Sequence, residues 1–293
     1  MRFTLLQTVL FVLLAIKVTG DDSTQPFKTV LSDVTKATFE LCSTKSSKDG
    51  SKNDIVVGEG TVFLVSLDPT DEWLVLLSNR HLFENPELGC IRYNVAGGKY
   101  KNSKYLYLED IKVRRSKVIS PTSPLIDLAA IIIDSVPSDW NAKPYPILEL
   151  LQSADSIGAG DEVYFLGFPV ATARLGNPLS LPMLRRGMIG MDQELFESFY
   201  VVDGVAIAGN SGSPTFDRSG KIMGIIAKVG YVTLGVDVTS QLIDDSAKAV
   251  DASHEPHPAS IGLMVGAERV RLFLEVEVSS YIDSLRASQS ETK

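Results

Sequence analysis

Histidine and cysteine are both rare in this chain: its 293 residues include three of the first and two of the second. Two thiols about fifty positions apart do not make a metal centre, because a structural zinc site needs four ligands at close spacing. No metal and no cofactor are expected. Long apolar runs are also missing, since beyond the N-terminus no segment approaches the roughly eighteen residues that cross a bilayer as a helix. Basic charge is short as well. The 28 Lys and Arg stand against 36 Asp and Glu, for a net charge of −8. With no basic stripe, a phosphate backbone has nothing to bind, so no nucleic-acid partner is expected. Internal repeats are absent, which excludes solenoids, and no N-x-Ser/Thr acceptor for N-glycosylation occurs.

What is present begins with MRFTLLQTVLFVLLAIKVTGDD, where Arg2 precedes an apolar run from Leu5 to Ile16 and then Val18, Thr19 and Gly20. That layout predicts a cleavable secretory signal over residues 1–20 and a secreted, extracellular protein with no membrane partner after cleavage. Loss of Arg2 and Lys17 with the signal takes the net charge to about −10. In an oxidising compartment an even cysteine count favours pairing, so a Cys42–Cys90 disulfide is expected; the alternative is two buried thiols. Short apolar or alternating runs, among them TVFLVSL, EWLVLLS, LIDLAAIII, DEVYFLGF and KIMGIIAKVG, recur between Gly, Asn, Asp and Pro clusters. They read as strands of an antiparallel barrel or sandwich, in an all-β chain. The proline-rich VPSDWNAKPYPI marks a connection over 136–148, and a polar stretch with HEPHP marks a loop insertion over 240–260. AERVRLFLEVEVSSYIDSL spaces Val270, Phe273, Leu274, Val278, Tyr281 and Leu285 as an amphipathic C-terminal helix.

Chemistry gathers at three places. In GNSGSPTFDRSG, glycines crowd Ser211, as a backbone closely approaching a ligand requires. His81 ends the strand-like run EWLVLLSNRH. Asp127 interrupts PLIDLAAIII, a run apolar enough to be buried, where a lone carboxylate costs several kcal/mol unless a partner engages it. A serine hydroxyl needs a base within hydrogen-bond reach and a third group to hold that base in the right tautomer. His81, Asp127 and Ser211 offer each role once.

LLSNRHLF, LIDLAAI and GNSGSP resemble the histidine, aspartate and nucleophile motifs of the trypsin-like, chymotrypsin-fold serine peptidases. The wording is closest to the glutamyl-endopeptidase and HtrA-like branches, and the resemblance extends from about Gly58 to Val229. It implies two packed antiparallel β-barrels, over 36–135 and 149–239, preceded by an N-terminal extension over 21–35 and closed by a strand and helix over 261–293. It further implies a serine endopeptidase acting on polypeptide substrates. Ser211 would be the nucleophile, His81 the general base and acid, and Asp127 the orienting carboxylate. The amides of Gly209 and Ser211 would form the oxyanion hole. By offset, Val205 would lie at the base of the substrate-binding pocket, with Ala227 and Val229 on its wall, which implies a small or medium apolar side chain before the cleaved bond.

The chain departs from the pancreatic pattern at two positions. Asn210 stands where an aspartate pairs with a new N-terminal ammonium in that pattern, so the oxyanion loop is expected to be preformed or ordered by other contacts. Ser213 replaces the glycine commoner two places after the nucleophile. An α/β-hydrolase, with Ser211, Asp237 or Asp244 and His254 or His257 in that order, conflicts with serine at 213 and with the missing βα alternation. A metal role for His254 and His257 lacks further ligands. The remaining rival is a non-catalytic secreted relative that binds through the same fold. The sequence sets no oligomeric state.

Overall fold

The computed structural model describes residues 24–45, 55–68, 73–85, 88–95, 103–108, 118–169, 181–191, 199–231 and 260–290. In the first lobe, β1 (Thr38–Lys45), β2 (Ile55–Ser66), β3 (Leu74–Ser78), β4 (Leu88–Asn94), β5 (Ser103–Tyr107) and β6 (Ala129–Ile133) form one sheet in the order β5-β4-β1-β2-β3-β6. The short β7 (Tyr145–Pro146) pairs with β2 in parallel. The second lobe is a closed barrel of β8 (Glu162–Gly167), β9 (Met183–Ile189), β10 (Phe199–Asp203), β11 (Pro214–Phe216), β12 (Ile222–Tyr231) and β13 (Ser260–Gly266). The chain is thus mostly β with a C-terminal helix. Among the described residues the first sheet has β5 and β6 as its ends, although Ile119 bridges to Ala130 on the outer side of β6.

Burial on both faces explains why the strand-like runs are so continuously apolar. Strand side chains alternate in direction, and along β2 Val62 and Leu64 enter the core of the first lobe while Phe63 and Val65 join a core shared with the second. The same division separates Ala129, Ile131 and Ile133 from Ala130 and Ile132 on β6. Strands β2, β3 and β6, one end of the first sheet, therefore carry the seam between the lobes, whereas β1 and β4 face the first lobe's own core.

Helices and the mid-chain connection close that seam. Helix α1 (Thr24–Ala37) buries Val34 and Ala37 and sets the Phe27 ring 4.7 Å from that of Tyr164 on β8. Asp33 on the same helix meets Lys143 of the connection at 3.0 Å. In that connection Trp140 bridges to Val95 and packs 4.5 Å from Phe39, and α3 (Ile147–Leu150) follows. Helix α2 is the short Arg80–Phe83 turn described below. At the C-terminus α4 (Ala267–Leu272), a π-helical turn (Phe273–Val278) and α5 (Ser279–Ser290) run on continuously. Val270, Phe273, Leu274 and Val278 are buried as the spacing predicts, with Tyr281 and Leu285 packed alongside. Arg271 ties this helix to the connection by donating to the carbonyls of Leu148 and Leu151.

The expected Cys42–Cys90 disulfide is not shown. Cys42 and Cys90 are buried and face each other across β1 and β4, but no disulfide joins them. The Cys90 thiol is directed at the Cys42 carbonyl (3.8 Å) and the Cys42 thiol at the Glu40 carbonyl (3.9 Å). A hydrogen bond with Cys90 and then burial push the Cys42 thiol well above its ordinary pKa. The expected signal lies outside the described residues, as does the 240–260 insertion apart from Ser260, which opens β13.

Candidate active site

His81 and Asp127 are brought together at the rim of the first sheet. The strand β3 ends at Ser78, buried Asn79 follows in an extended conformation, and the chain then turns into α2 (Arg80–Phe83), which carries His81. Leu82 and Phe83 anchor that turn in the core, leaving the His81 side chain 38% exposed. Asp127 sits two residues before β6 and is only 11% exposed. Its Oδ2 lies 2.7 Å from His81 Nδ1, and its Oδ1 accepts the His81 main-chain N–H at 3.2 Å. Both carboxylate oxygens are thus engaged by one residue, which resolves the cost of burying them. An acceptor at Nδ1 puts the ring proton there and leaves Nε2 as the basic nitrogen of the neutral imidazole.

Two neighbours steady this pair. Asn79 Nδ2 donates to the Asp127 carbonyl at 2.7 Å. Arg80 donates to the carbonyls of Pro121 (2.5 Å) and Ser123 (3.1 Å), gripping the loop that leads to Asp127. From the C-terminal helix, Glu277 accepts from the Thr122 hydroxyl at 2.9 Å in the same loop.

Ser211 lies in the second lobe, in the loop between β10 and β11. The loop needs glycine at 209 and 212, because both adopt positive φ, +94° and +83°, a region that residues with a side chain rarely enter. A Cβ on Gly212 would stand 1.9 Å from the Thr61 carbonyl oxygen, so a larger residue would push the lobes apart. The Ser211 hydroxyl donates to the Ala227 carbonyl on β12 at 3.3 Å. Among the described residues the hydroxyl and the imidazole share no hydrogen bond, and the main-chain N–H groups of Gly209 and Ser211 have no acceptor. Two unengaged amides beside a hydroxyl are what an incoming carbonyl oxygen requires.

The pocket residues are placed less uniformly. Ala227 is buried and touches Ser211 through its carbonyl. Val205 is 52% exposed, and its carbonyl accepts from Arg185 on β9 at 2.7 Å. Burial lowers the Arg185 pKa. The Val229 backbone continues β12 beyond Ala227; its side chain, like Asp237, Asp244, His254 and His257, is outside what the structure describes. No cluster of metal-ligating side chains occurs among the described residues.

Sequence reasoning missed Thr61, Asn79 and Arg185. Thr61 and Arg185 are polar residues within strands and Asn79 follows one, and only contacts distant in the chain single them out.

A family model described as a trypsin-like peptidase domain matches residues 60–225. No curated protein matches the sequence. Among solved structures, the HtrA-type protease AlgW with a decapeptide superposes with a TM-score of 0.51 at 17% identity, covering 85% of this chain and 67% of the other. A second AlgW structure, with a tripeptide, gives 0.48 at 16% identity, over 85% of this chain and 64% of that one. This chain therefore spans about two thirds of the length of these proteins, and at such identity the likeness concerns the fold.

Proposed function

The chain belongs to the trypsin-like peptidase domain family, and on that premise we propose that it is a secreted serine endopeptidase working through an acyl-enzyme on Ser211. The observation that carries this reading is the 2.7 Å contact between His81 Nδ1 and Asp127. It supports a ring whose Nδ1 proton is held by Asp127, which leaves Nε2 as the nitrogen that exchanges a proton with the hydroxyl. In the proposed cycle the Ser211 hydroxyl swings from the Ala227 carbonyl toward His81. Its oxygen attacks the scissile carbonyl while its proton passes to Nε2. The carbonyl oxygen takes up negative charge, which the Gly209 and Ser211 amides stabilise; each such donor contributes about two to three powers of ten in rate. Collapse of the tetrahedral intermediate breaks the C–N bond, and the leaving amine takes the proton from His81. Water then repeats the sequence against the ester and releases Ser211. Asp127 keeps the ring oriented and stabilises its cationic form throughout. A Ser211 hydroxyl resting on the Ala227 carbonyl at 3.3 Å suits an enzyme without substrate, since the catalytic hydrogen bond to the base often forms fully only with substrate bound.

The substrate is a polypeptide. Val205 and Ala227 present no carboxylate to a substrate side chain, which favours a small or medium apolar residue before the cleaved bond. A peptide library cut mainly after Arg or Glu would reject that preference. Export rests on the N-terminal signal and is tested by whether the protein reaches the medium with its N-terminus near Asp21. For the reaction itself, a fluorophosphonate is expected to label Ser211 in the wild type and not in His81→Ala. A well-folded wild type that resists labelling would favour the non-catalytic, binding relative instead.

A further inference from the structure

Thr61 belongs to β2 in the first lobe, yet most of its polar contacts are with the second. A threonine hydroxyl has one hydrogen to give and two lone pairs to fill. All three are used: it donates to the Gly209 carbonyl at 3.0 Å and accepts the Phe168 N–H at 3.2 Å and the Ser213 hydroxyl at 3.3 Å. Its main-chain N–H donates to the Ser211 carbonyl at 2.8 Å, and its own carbonyl accepts from Ser78 Oγ at 2.6 Å. The residue is fully buried.

Taken peptide by peptide, the nucleophile loop alternates between units held at both ends and units with a donor to spare. The 209–210 peptide is fixed by Thr61 Oγ1 on the Gly209 carbonyl and by the Asn210 N–H on the Ile207 carbonyl (3.0 Å). The 211–212 peptide is fixed by the Thr61 N–H on the Ser211 carbonyl and by the Gly212 N–H on the Ile226 carbonyl (2.8 Å). The Ser211 N–H projects from the peptide between these two, and the Gly209 N–H from the one before; neither has an acceptor among the described residues. Asn210 makes no ion pair here. Its Oδ1 accepts the Ile207 N–H at 3.1 Å, folding the loop onto itself. Turning either anchored carbonyl away would strand Thr61 donors in a buried site, where unmade hydrogen bonds are costly.

We propose that Thr61 is a positioning residue: from across the lobe boundary it holds the loop so that the Gly209 and Ser211 amides stay receptive, in place of an activation ion pair. The inference rests on the reading of Ser211 as nucleophile. It accounts for Asn210, and for Ser213, whose hydroxyl completes the shell around Thr61.

The test compares Thr61→Ser, which keeps the hydroxyl, with Thr61→Val, which keeps the shape and loses it. Four quantities are measured: kcat and KM on a peptide substrate, the rate of fluorophosphonate labelling, and the affinity of a peptide aldehyde relative to the matching alcohol. Only the aldehyde forms an oxyanion. Thr61→Val is expected to lose about a hundredfold in kcat, with KM changed by less than about threefold, as for a small misplacement of reacting groups. Labelling and the advantage of the aldehyde over the alcohol should fall in step, while Thr61→Ser stays within about threefold of wild type. A folded Thr61→Val with wild-type kcat and aldehyde affinity overturns the inference. So does loss of activity that Thr61→Ser shares equally. Where Thr61→Val does not fold, Thr61→Cys, with a weak donor of similar size, takes its place, and wild-type kinetics there overturn the inference too. These results all presuppose a labelled wild type. An unlabelled, inactive wild type instead brings down the assignment of Ser211, a distinguishable failure.

Discussion

The two halves of the site are built differently. His81, Asp127, Asn79 and Arg80 all come from the first lobe, and their hydrogen bonds close within it. Ser211 belongs to the second lobe, but its loop is fastened from outside by Thr61, 148 positions before Gly209. The His81–Asp127 half therefore leans mainly on its own sheet, with one contact from outside it, the Thr122 hydroxyl to Glu277 of the C-terminal helix. The Ser211 half needs the lobes to be correctly docked as well. In a fold of this kind the seam is part of the candidate site, and a substitution that loosens the seam is expected to disturb the Ser211 loop.

The strongest expected effect comes from Ser211→Ala, which should lower kcat on a peptide by about six powers of ten. Because its hydroxyl makes one long contact to Ala227, thermal unfolding should hardly move. If the halves are independent, the His81 Nδ1 proton resonance should also persist in this variant. Its disappearance would break the comparison. Asp127→Asn comes next, with a loss of about four powers of ten in kcat, since the amide no longer fixes the ring tautomer. Here the Nδ1 resonance should shift or vanish while the Ser211 loop is unperturbed, read as an unchanged affinity for the non-reacting peptide alcohol. A smaller effect is expected from Asn79→Ala. Removing the donor to the Asp127 carbonyl should cost about 1 kcal/mol of stability, with roughly tenfold lower kcat/KM through a displaced carboxylate. Stability lost without any change in kcat/KM would reduce Asn79 to a structural role.

The sequence made the strands, the terminal helix and the His81–Asp127 pairing legible for the same reason. Each depends on a local contrast: an alternation, a heptad-like spacing, or a charge interrupting an apolar run. Ser211 stood out because Gly209 and Gly212 must adopt positive φ, and glycine is visible as a letter. Thr61 left no such trace. In TVFLVSL it is one more β-former, and its importance arises only when β2 meets a loop 148 residues later. Residues 21–35 read as an extension, because the apolar side of α1 has meaning only once Tyr164 and the shared core are in place. The cysteines show the opposite limit. Their number and the expected compartment argued for a bridge, but the structure holds facing thiols, each turned toward a carbonyl.

The gentlest probe of the seam is Tyr145. It stands on β7, against β2 of the first lobe, and its hydroxyl donates to the Gly220 carbonyl in the second at 2.6 Å. Burial, then the nearby charges of Asp33 and Asp217, push its pKa up to about 12 from an ordinary value of 10.0. Below about pH 10 both folded and unfolded chains keep the phenol neutral, and its contribution to stability is complete. Between the two values the unfolded chain releases a proton that the folded chain still holds, so stability falls as pH rises, and the loss levels off above about 12. Tyr145→Phe should cost about 1 kcal/mol at neutral pH by leaving the Gly220 carbonyl short of a donor. It should also flatten the alkaline decline in urea titrations from pH 9 to 12. Since Thr61, and not Tyr145, grips the nucleophile loop, kcat should change by less than about twofold. A larger fall in kcat would mean that the loop depends on the seam as a whole and not on the Thr61 contacts.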